Sequence, residues 1–502
     1  MISIDGQSLT LVQFRDVVLD GSACSLAADA RRRVEAGRRT VEETIRRGEA
    51  TYGINTGFGD LATVSIEEKN LALLQERLIL SHCAGVGEPL PDDVVRGMLL
   101  LRANTLARGH SGVRPLLIES LLTLLNAGVL PLVPSRGSVG ASGDLAPLAQ
   151  LALPLLGKGE VRVDGKVLPA MQGLERAGLT PLTLEPKEGL ALINGTQAMT
   201  SLLAVSALAC RRLMRIADLV AAMATDALRG TDSAFDARLH ALRPHPGQLA
   251  SAANIWQLMQ GSGIRDSHRQ GDVRVQDPYS VRCAPQVHGA ARDLLTDVEA
   301  KLVIEMNSVT DNPLIFPEEG DVVSGGNFHG EPMALAADVL ALAVSELGAI
   351  SERRIEKLTN TAFSGLPPFL ATDAGLNSGF MMVQVTAAAL ASENKTYCHP
   401  ASVDSIPTSA DKEDHVSMGM GAALKLQPIV ANTYRILAIE LTAAAQGIDL
   451  LRPLRSSESI EALHEAFRRS VPVLNEDREM AKDLNAARGF LDEIDGFLEE
   501  LS

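Results

Sequence analysis

The densest run of reactive possibilities lies between Arg136 and Gln150, which reads RGSVGASGDLAPLAQ. Gly137, Gly140 and Gly143 recur every third residue, Ser138 and Ser142 stand between them, and Asp144 opens an apolar segment. Glycine-rich turns at helix starts hold anions on backbone N–H groups, so a phosphate loop is the first chemistry to test. The Walker pattern needs Gly-Lys-Ser/Thr and the dinucleotide pattern needs GxGxxG after a strand, and neither is here. Ser142 does not sit in a GxSxG elbow. Taken alone, such a stretch is more often a structural turn than a site, because Gly and Ser favour turns for backbone reasons.

Other segments change that balance. Tyr52 to Gly59 reads YGINTGFG, Asn194 to Gln197 reads NGTQ, and Gln276 to Gly289 reads QDPYSVRCAPQVHG. Asn307 to Pro313 reads NSVTDNP, Gly325 to Glu331 reads GGNFHGE, and Pro400 to Met418 reads PASVDSIPTSADKEDHVSM. Two of the four tyrosines, Tyr52 and Tyr279, fall in these polar stretches. Polar groups set between apolar helices are costly to bury unless paired or used.

The elements that must position these residues are mostly helical. Asp5-Gly6, between Ile2/Ile4 and Leu9, predicts a small N-terminal hairpin, and Asp164-Gly165 in VRVDGKVL a second. Apolar spacing predicts helices over Leu26 to Gly48, Glu67 to His82 and Asp92 to Arg108. Pro313 to Phe316 reads as a short strand. Thr196 to Arg229 contains no Gly or Pro, and a fully helical run of 34 residues is about 51 Å long. Ala290 to Asn312, Met333 to Thr361 and Ile429 to Gln446 read as further long helices. Such Ala/Leu-rich segments indicate helices packed side by side, apolar enough round their circumference to bury faces against partner subunits. The uncharged run Gly189 to Cys210 is long enough to span a bilayer, but Asn194, Thr196, Gln197, Thr200, Ser201 and Ser206 make a buried helix the better reading. Two domains are expected, 1–190 and 191–502.

Together these motifs resemble the aromatic amino acid ammonia-lyase family, in order and spacing, from about Tyr52 to Met418, and GSVGASGDLAPLA is its specific signature. The resemblance implies a mainly α fold, a long-helix bundle of the fumarase/aspartase-like type with a smaller N-terminal part. The GSSxMPxKxNP loop of the fumarase-type lyases is absent. It implies that Ala141-Ser142-Gly143 cyclises into 4-methylidene-imidazol-5-one (MIO), with no external cofactor. The residue types suit that reaction. The Gly143 amide nitrogen must attack the Ala141 carbonyl carbon, and a residue without Cβ lets the backbone fold that tightly. Ser142 loses its hydroxyl as water. The product is an electrophile, and capturing the substrate can supply activation that expelling ammonia needs.

Roles follow from the resemblance by position. Tyr52 matches the base that takes the β-proton, and its phenol, ordinarily near pKa 10, must be shifted down or work at alkaline pH. Arg282 matches the partner of the substrate carboxylate, a bidentate task suited to guanidinium. Tyr279 and Asn194 match groups lining the MIO and the amine, Gln276 and Phe328 further pocket residues, and Asp144 a helper of ring formation. Glu413 matches a carboxylate facing the substrate. Ser81-His82, ending LALLQERLILSH, resembles the family's histidine-specific branch, where other branches tend to carry Phe-Leu or His-Leu. A site built to hydrogen-bond a polar ring rejects an apolar one. The implied reaction is L-histidine to trans-urocanate and ammonia, the first step of histidine degradation, in a homotetramer with sites shared between subunits. Phenylalanine or tyrosine ammonia-lyase, a 2,3-aminomutase and a catalytically silent helical scaffold are the alternatives.

Composition agrees with a globular enzyme. The 502 residues carry 46 basic and 62 acidic side chains, a net charge of −16, and 46% are hydrophobic. Aromatics are 3%, an aliphatic mixture suited to interdigitating helices rather than strands. The acidic balance argues against nucleic acid as a partner. Five scattered cysteines fit neither a disulfide framework nor a thiolate zinc site. No HxxxH or His/Cys cluster at ligand spacing appears, so no protein-bound metal is expected, and His288, His329 and His415 read as structural or supporting. MISIDGQSL lacks the pattern of a signal peptide, so a cytoplasmic location is expected.

Overall fold

The structure, a computed structural model, describes every residue except 49, 50, 52, 57–65, 273, 500 and 502. It is mainly α-helical, with short two- and three-stranded sheets. The chain forms two compact units, neither of them one continuous stretch. The first comprises residues 1–206, 298–338 and 400–424, and the second 207–297, 339–399 and 425–502.

The long helices run over Gln197–Ala227, Ala284–Met306, Glu331–Thr359 and Gly419–Leu450. Pro428 lies inside the last of these. An interior proline costs a helix about 3 kcal/mol, so the packing of residues such as Leu426, Ile429 and Leu437, all fully buried, outweighs it. Among the described residues one helix, Glu331–Thr359, is long and apolar enough to cross a membrane, and two-thirds of its apolar stretch is buried within the fold.

Several local expectations hold. Charged Ala28–Arg47 is a helix closed by Gly48 in the left-handed conformation (φ 75°). Leu71–His82 and Asp92–Ala107 are helices, the former preceded by a 3-10 turn over Glu68–Asn70. Glu160–Val163 and Lys166–Pro169 form the hairpin about Asp164-Gly165, both with positive φ as a two-residue type I′ turn requires. Leu314–Phe316 is a strand paired with Asp321–Val323.

Three expectations are corrected. The N-terminal segment is not a hairpin: Ile2–Ile4 pairs in parallel with Cys24–Leu26. The Asp5 carboxylate accepts from the N–H groups of Gln7 and Ser8, and a Thr10/Gln13 capping box then starts the helix Leu11–Val18, so no return strand can follow the turn directly. The helix expected over Ala290 to Asn312 spans Ala284–Met306 instead. Pro285 is tolerated in its first turn, and Asn307 and Ser308 end it by donating to the Val303 and Ile304 carbonyls. The run Gly189 to Cys210 is two helices, Glu188–Ile193 and the start of Gln197–Ala227, broken at Asn194-Gly195-Thr196. That break belongs to the site.

Candidate active site

Strand Pro134–Arg136 pairs antiparallel with Val86–Pro89, just beyond the Leu71–His82 helix. This pairing brings the end of that helix beside the turn 137–144. The turn is then fastened from two sides. Gly143 bridges to Gly195, and the Asp144 N–H donates to the Gly195 carbonyl at 2.7 Å. On the other side the Ser417 hydroxyl donates to the Gly140 carbonyl at 3.2 Å and the Met418 N–H to the Val139 carbonyl at 2.8 Å. Gly143 has φ +74°, and a Cβ there would lie 2.2 Å from the Gly195 oxygen. Only glycine fits.

Ala141-Ser142-Gly143 is thus held in a tight turn that depends on glycine at its third position. The Asn194 amide donates to the Ser142 carbonyl at 2.8 Å, and the Ser142 hydroxyl donates to Glu413 at 2.8 Å. The Thr408 hydroxyl holds the other Glu413 oxygen at 2.6 Å. Asp144 is fully buried, accepting from the Met199 N–H in the first turn of Gln197–Ala227 and from the Ser138 hydroxyl. Burial pushes its carboxyl up to about 6, against the lowering by those hydrogen bonds.

These groups face a cavity of about 530 Å³, lined by Leu78, His82, Ala141, Ser142, Leu145, Leu190, Ile193, Asn194, Phe328 and Glu413 among others. His82 Nδ1 lies 2.9 Å from the Leu78 carbonyl. A carbonyl only accepts, so Nδ1 carries the proton and Nε2 is left as an acceptor. Ser81 does not line the cavity. Its hydroxyl donates to the Leu78 carbonyl and lies 3.0 Å from His82 Nδ1, supporting that ring.

All the described lining residues belong to the first unit. Gln276, Tyr279 and Arg282 belong to the second and do not line the cavity. Tyr279 is 71% exposed, with the Arg282 guanidinium 4.5 Å over its ring. The one-turn helix Tyr279–Arg282 is held from beneath, where Arg354 donates to the Ser280 carbonyl and pairs with Glu440, both charges fully buried. Tyr52 lies outside the described residues.

Two features were not legible from spacing. His329, Glu331 and His415 come together with ligand atoms within 4.8 Å of one another, although no ligand spacing joins them in the sequence. The chain separation between His329 and His415 hid it. Thr408, Ser417 and Arg102 support the site without having been singled out. Arg102 did carry a signal, as the lone charge in the apolar run GMLLLRANTLA.

Comparison with known proteins gives the family. Residues 9–469 match the family model described as aromatic amino acid lyase. A histidine ammonia-lyase from Deinococcus radiodurans is 55% identical over 485 residues, 97% of this chain and 92% of that one. The crystal structure of histidine ammonia-lyase from Trypanosoma cruzi superposes with a TM-score of 0.91 at 44% identity, covering 99% of this chain and 96% of that chain. Tyrosine aminomutase from Streptomyces globisporus gives 0.93 at 39% identity, covering 99% and 97%. With its motifs, its helical fold and these matches over nearly its whole length, the chain belongs to the aromatic amino acid lyase family, which uses the MIO group.

Proposed function

We propose that this enzyme eliminates ammonia from L-histidine to give trans-urocanate, using an MIO group built from Ala141, Ser142 and Gly143. The observation that carries the reading is that Ser142 and His82 line one cavity, the first as precursor of an electrophile and the second offering an acceptor nitrogen to an imidazole N–H. The relatives named histidine ammonia-lyase, at 50–55% identity, support it. Once formed from Ala141, Ser142 and Gly143, the MIO group would supply an electrophile that activates the substrate for loss of ammonia.

The chain's own residues do the rest. Tyr52 removes the β-proton, and Arg282 pairs with the substrate carboxylate. Asn194 polarises the Ser142 carbonyl, Tyr279 lines the amine, and Gln276 and Phe328 complete the pocket. Glu413 faces the substrate, and Asp144 assists ring closure. Gln276, Tyr279 and Arg282 reach the cavity from another copy of the chain in a homotetramer. The exposure of Tyr279 supports this, as does the helix Met381–Tyr397, whose Met382 and Val385 are exposed.

The test is ultraviolet absorbance during incubation with L-histidine, L-phenylalanine and L-tyrosine in parallel, with free ammonia measured. A urocanate band with histidine alone is expected, and Ser142→Ala should abolish it with the fold intact. A cinnamate or coumarate band would move the substrate. The aminomutase-like structure favours one second reading, a 2,3-aminomutase, which would consume substrate without releasing ammonia.

A further inference from the structure

The Asp92–Ala107 helix buries a guanidinium directly beneath the turn. Arg102 is fully buried, and its Nη1 donates to the Asn194 carbonyl and to Gln197 Oε1, each at 2.9 Å. Neither acceptor is charged, and among the described residues Nε and Nη2 have no hydrogen-bond partner. The Asp311 charge acts on it, but that carboxylate already accepts from Lys187 at 2.8 Å, both side chains fully buried. Two buried cations thus share one buried anion. Burial lowers the Arg102 pKa only to about 10, so it is charged at neutral pH. A leucine there would avoid the desolvation of an incompletely paired charge.

What Arg102 grips explains its place. It holds the carbonyl of Asn194, whose amide donates to the Ser142 carbonyl, and the next carbonyl, of Gly195, accepts from the Asp144 N–H. The packing is close enough that a Cβ on Gly195 would lie 2.5 Å from Arg102 Nη1. Donors and charge fixed beside a group that gains negative charge on attack accelerate that attack because they need not reorganise.

We propose that Arg102 is a positioning residue for the electrophile: it fixes the Asn194-Gly195 peptide that holds both ends of Ser142-Gly143-Asp144, and its incompletely paired buried charge raises the reactivity of the group made there. This rests on the tripeptide becoming MIO, and the experiment separates the two claims. Full-length wild type, Arg102→Lys and Gln197→Glu are compared without histidine. Mass spectrometry of the peptide holding Ala141–Gly143 reports the loss of two waters. An intact tripeptide in the wild type would refute the MIO reading itself. Cyanide, which adds to the exocyclic methylene, then reports electrophile reactivity through the rate of adduct formation. Lysine loses the forked grip, while Gln197→Glu pairs the guanidinium and cancels its charge without removing it.

Both variants should trap cyanide about tenfold or more slowly than the wild type. An intact tripeptide in folded Arg102→Lys would also support the proposal, with positioning acting at ring closure. Trapping within about twofold of wild type in both variants, whatever their thermal midpoints, would make Arg102 a packing residue and overturn it. If Arg102→Lys does not fold, Gln197→Glu decides alone.

Discussion

Replacing His82 with leucine should move specificity away from an imidazole ring while leaving the electrophile untouched. The size of the effect follows from the tautomer. With the Nδ1 proton on the Leu78 carbonyl, the His82 tautomer offers the substrate Nε2 as a single acceptor. Its loss removes that acceptor, and Leu78, Leu190 and Ile193, which share the lining, cannot replace it through a side chain. A buried donor left unpaired costs about 1–3 kcal/mol. At about 1.4 kcal/mol per factor of ten, kcat/KM for L-histidine should fall roughly 5- to 150-fold. L-Phenylalanine, which asks nothing of Nε2, should lose nothing or gain. The assay is initial rates on both amino acids by product absorbance, with the Ala141–Gly143 peptide checked for dehydration. A histidine-to-phenylalanine ratio unchanged within about twofold would refute the pairing, and a loss above about 10⁴-fold would mean that a charged contact had been broken instead.

Further outcomes are expected. Gly143→Ala should leave the tripeptide intact by mass, since its Cβ would meet the Gly195 oxygen at 2.2 Å. Tyr52→Phe should lower turnover by at least about 100-fold with the tripeptide still dehydrated, a split that separates the base from ring formation. Asp144→Asn should flatten stability against pH. The folded carboxyl is raised from 3.8 to about 6, so its contribution is full below pH 4 and is lost as pH rises through 6. That is up to about 3 kcal/mol, read from denaturant midpoints, and the variant should lack the slope. Lys187→Met should cost about 3–5 kcal/mol in the same assay by removing the direct partner of the buried Asp311 carboxylate.

The parts of the fold readable in the sequence were those decided locally. Asp164-Gly165 names its own turn type, and the charged run before Gly48 carries both periodicity and stop signal. Asp5-Gly6 looked the same but lost its return strand to the capping box two residues beyond Ser8. The Ala284–Met306 helix began earlier than expected because Pro285, a breaker by rule, is harmless in a first turn. The site was readable as motifs but not as geometry. Ser142 and Glu413 are 271 residues apart, and nothing in either stretch says that hydroxyl and carboxylate meet. His329 and His415 likewise fail every spacing rule for ligands and yet stack at 5.9 Å. Arg102 shows how a single charge inside an apolar helix points to a buried task without saying which.

The discontinuity of the first unit sets an order of events during synthesis. The turn 137–144 emerges early, but the segment that clamps it, Glu413 on Ser142 and Ser417 on Gly140, is made some 270 residues later. At about 5–20 residues per second, that interval is roughly 15–60 s. For that time the turn lacks its hydrogen bonds to Glu413 and from Ser417. Under the proposed function, a ring closure that requires this clamp would be withheld until most of the polypeptide has left the ribosome, so that no reactive alkene would be carried by an unfinished chain among cellular thiols.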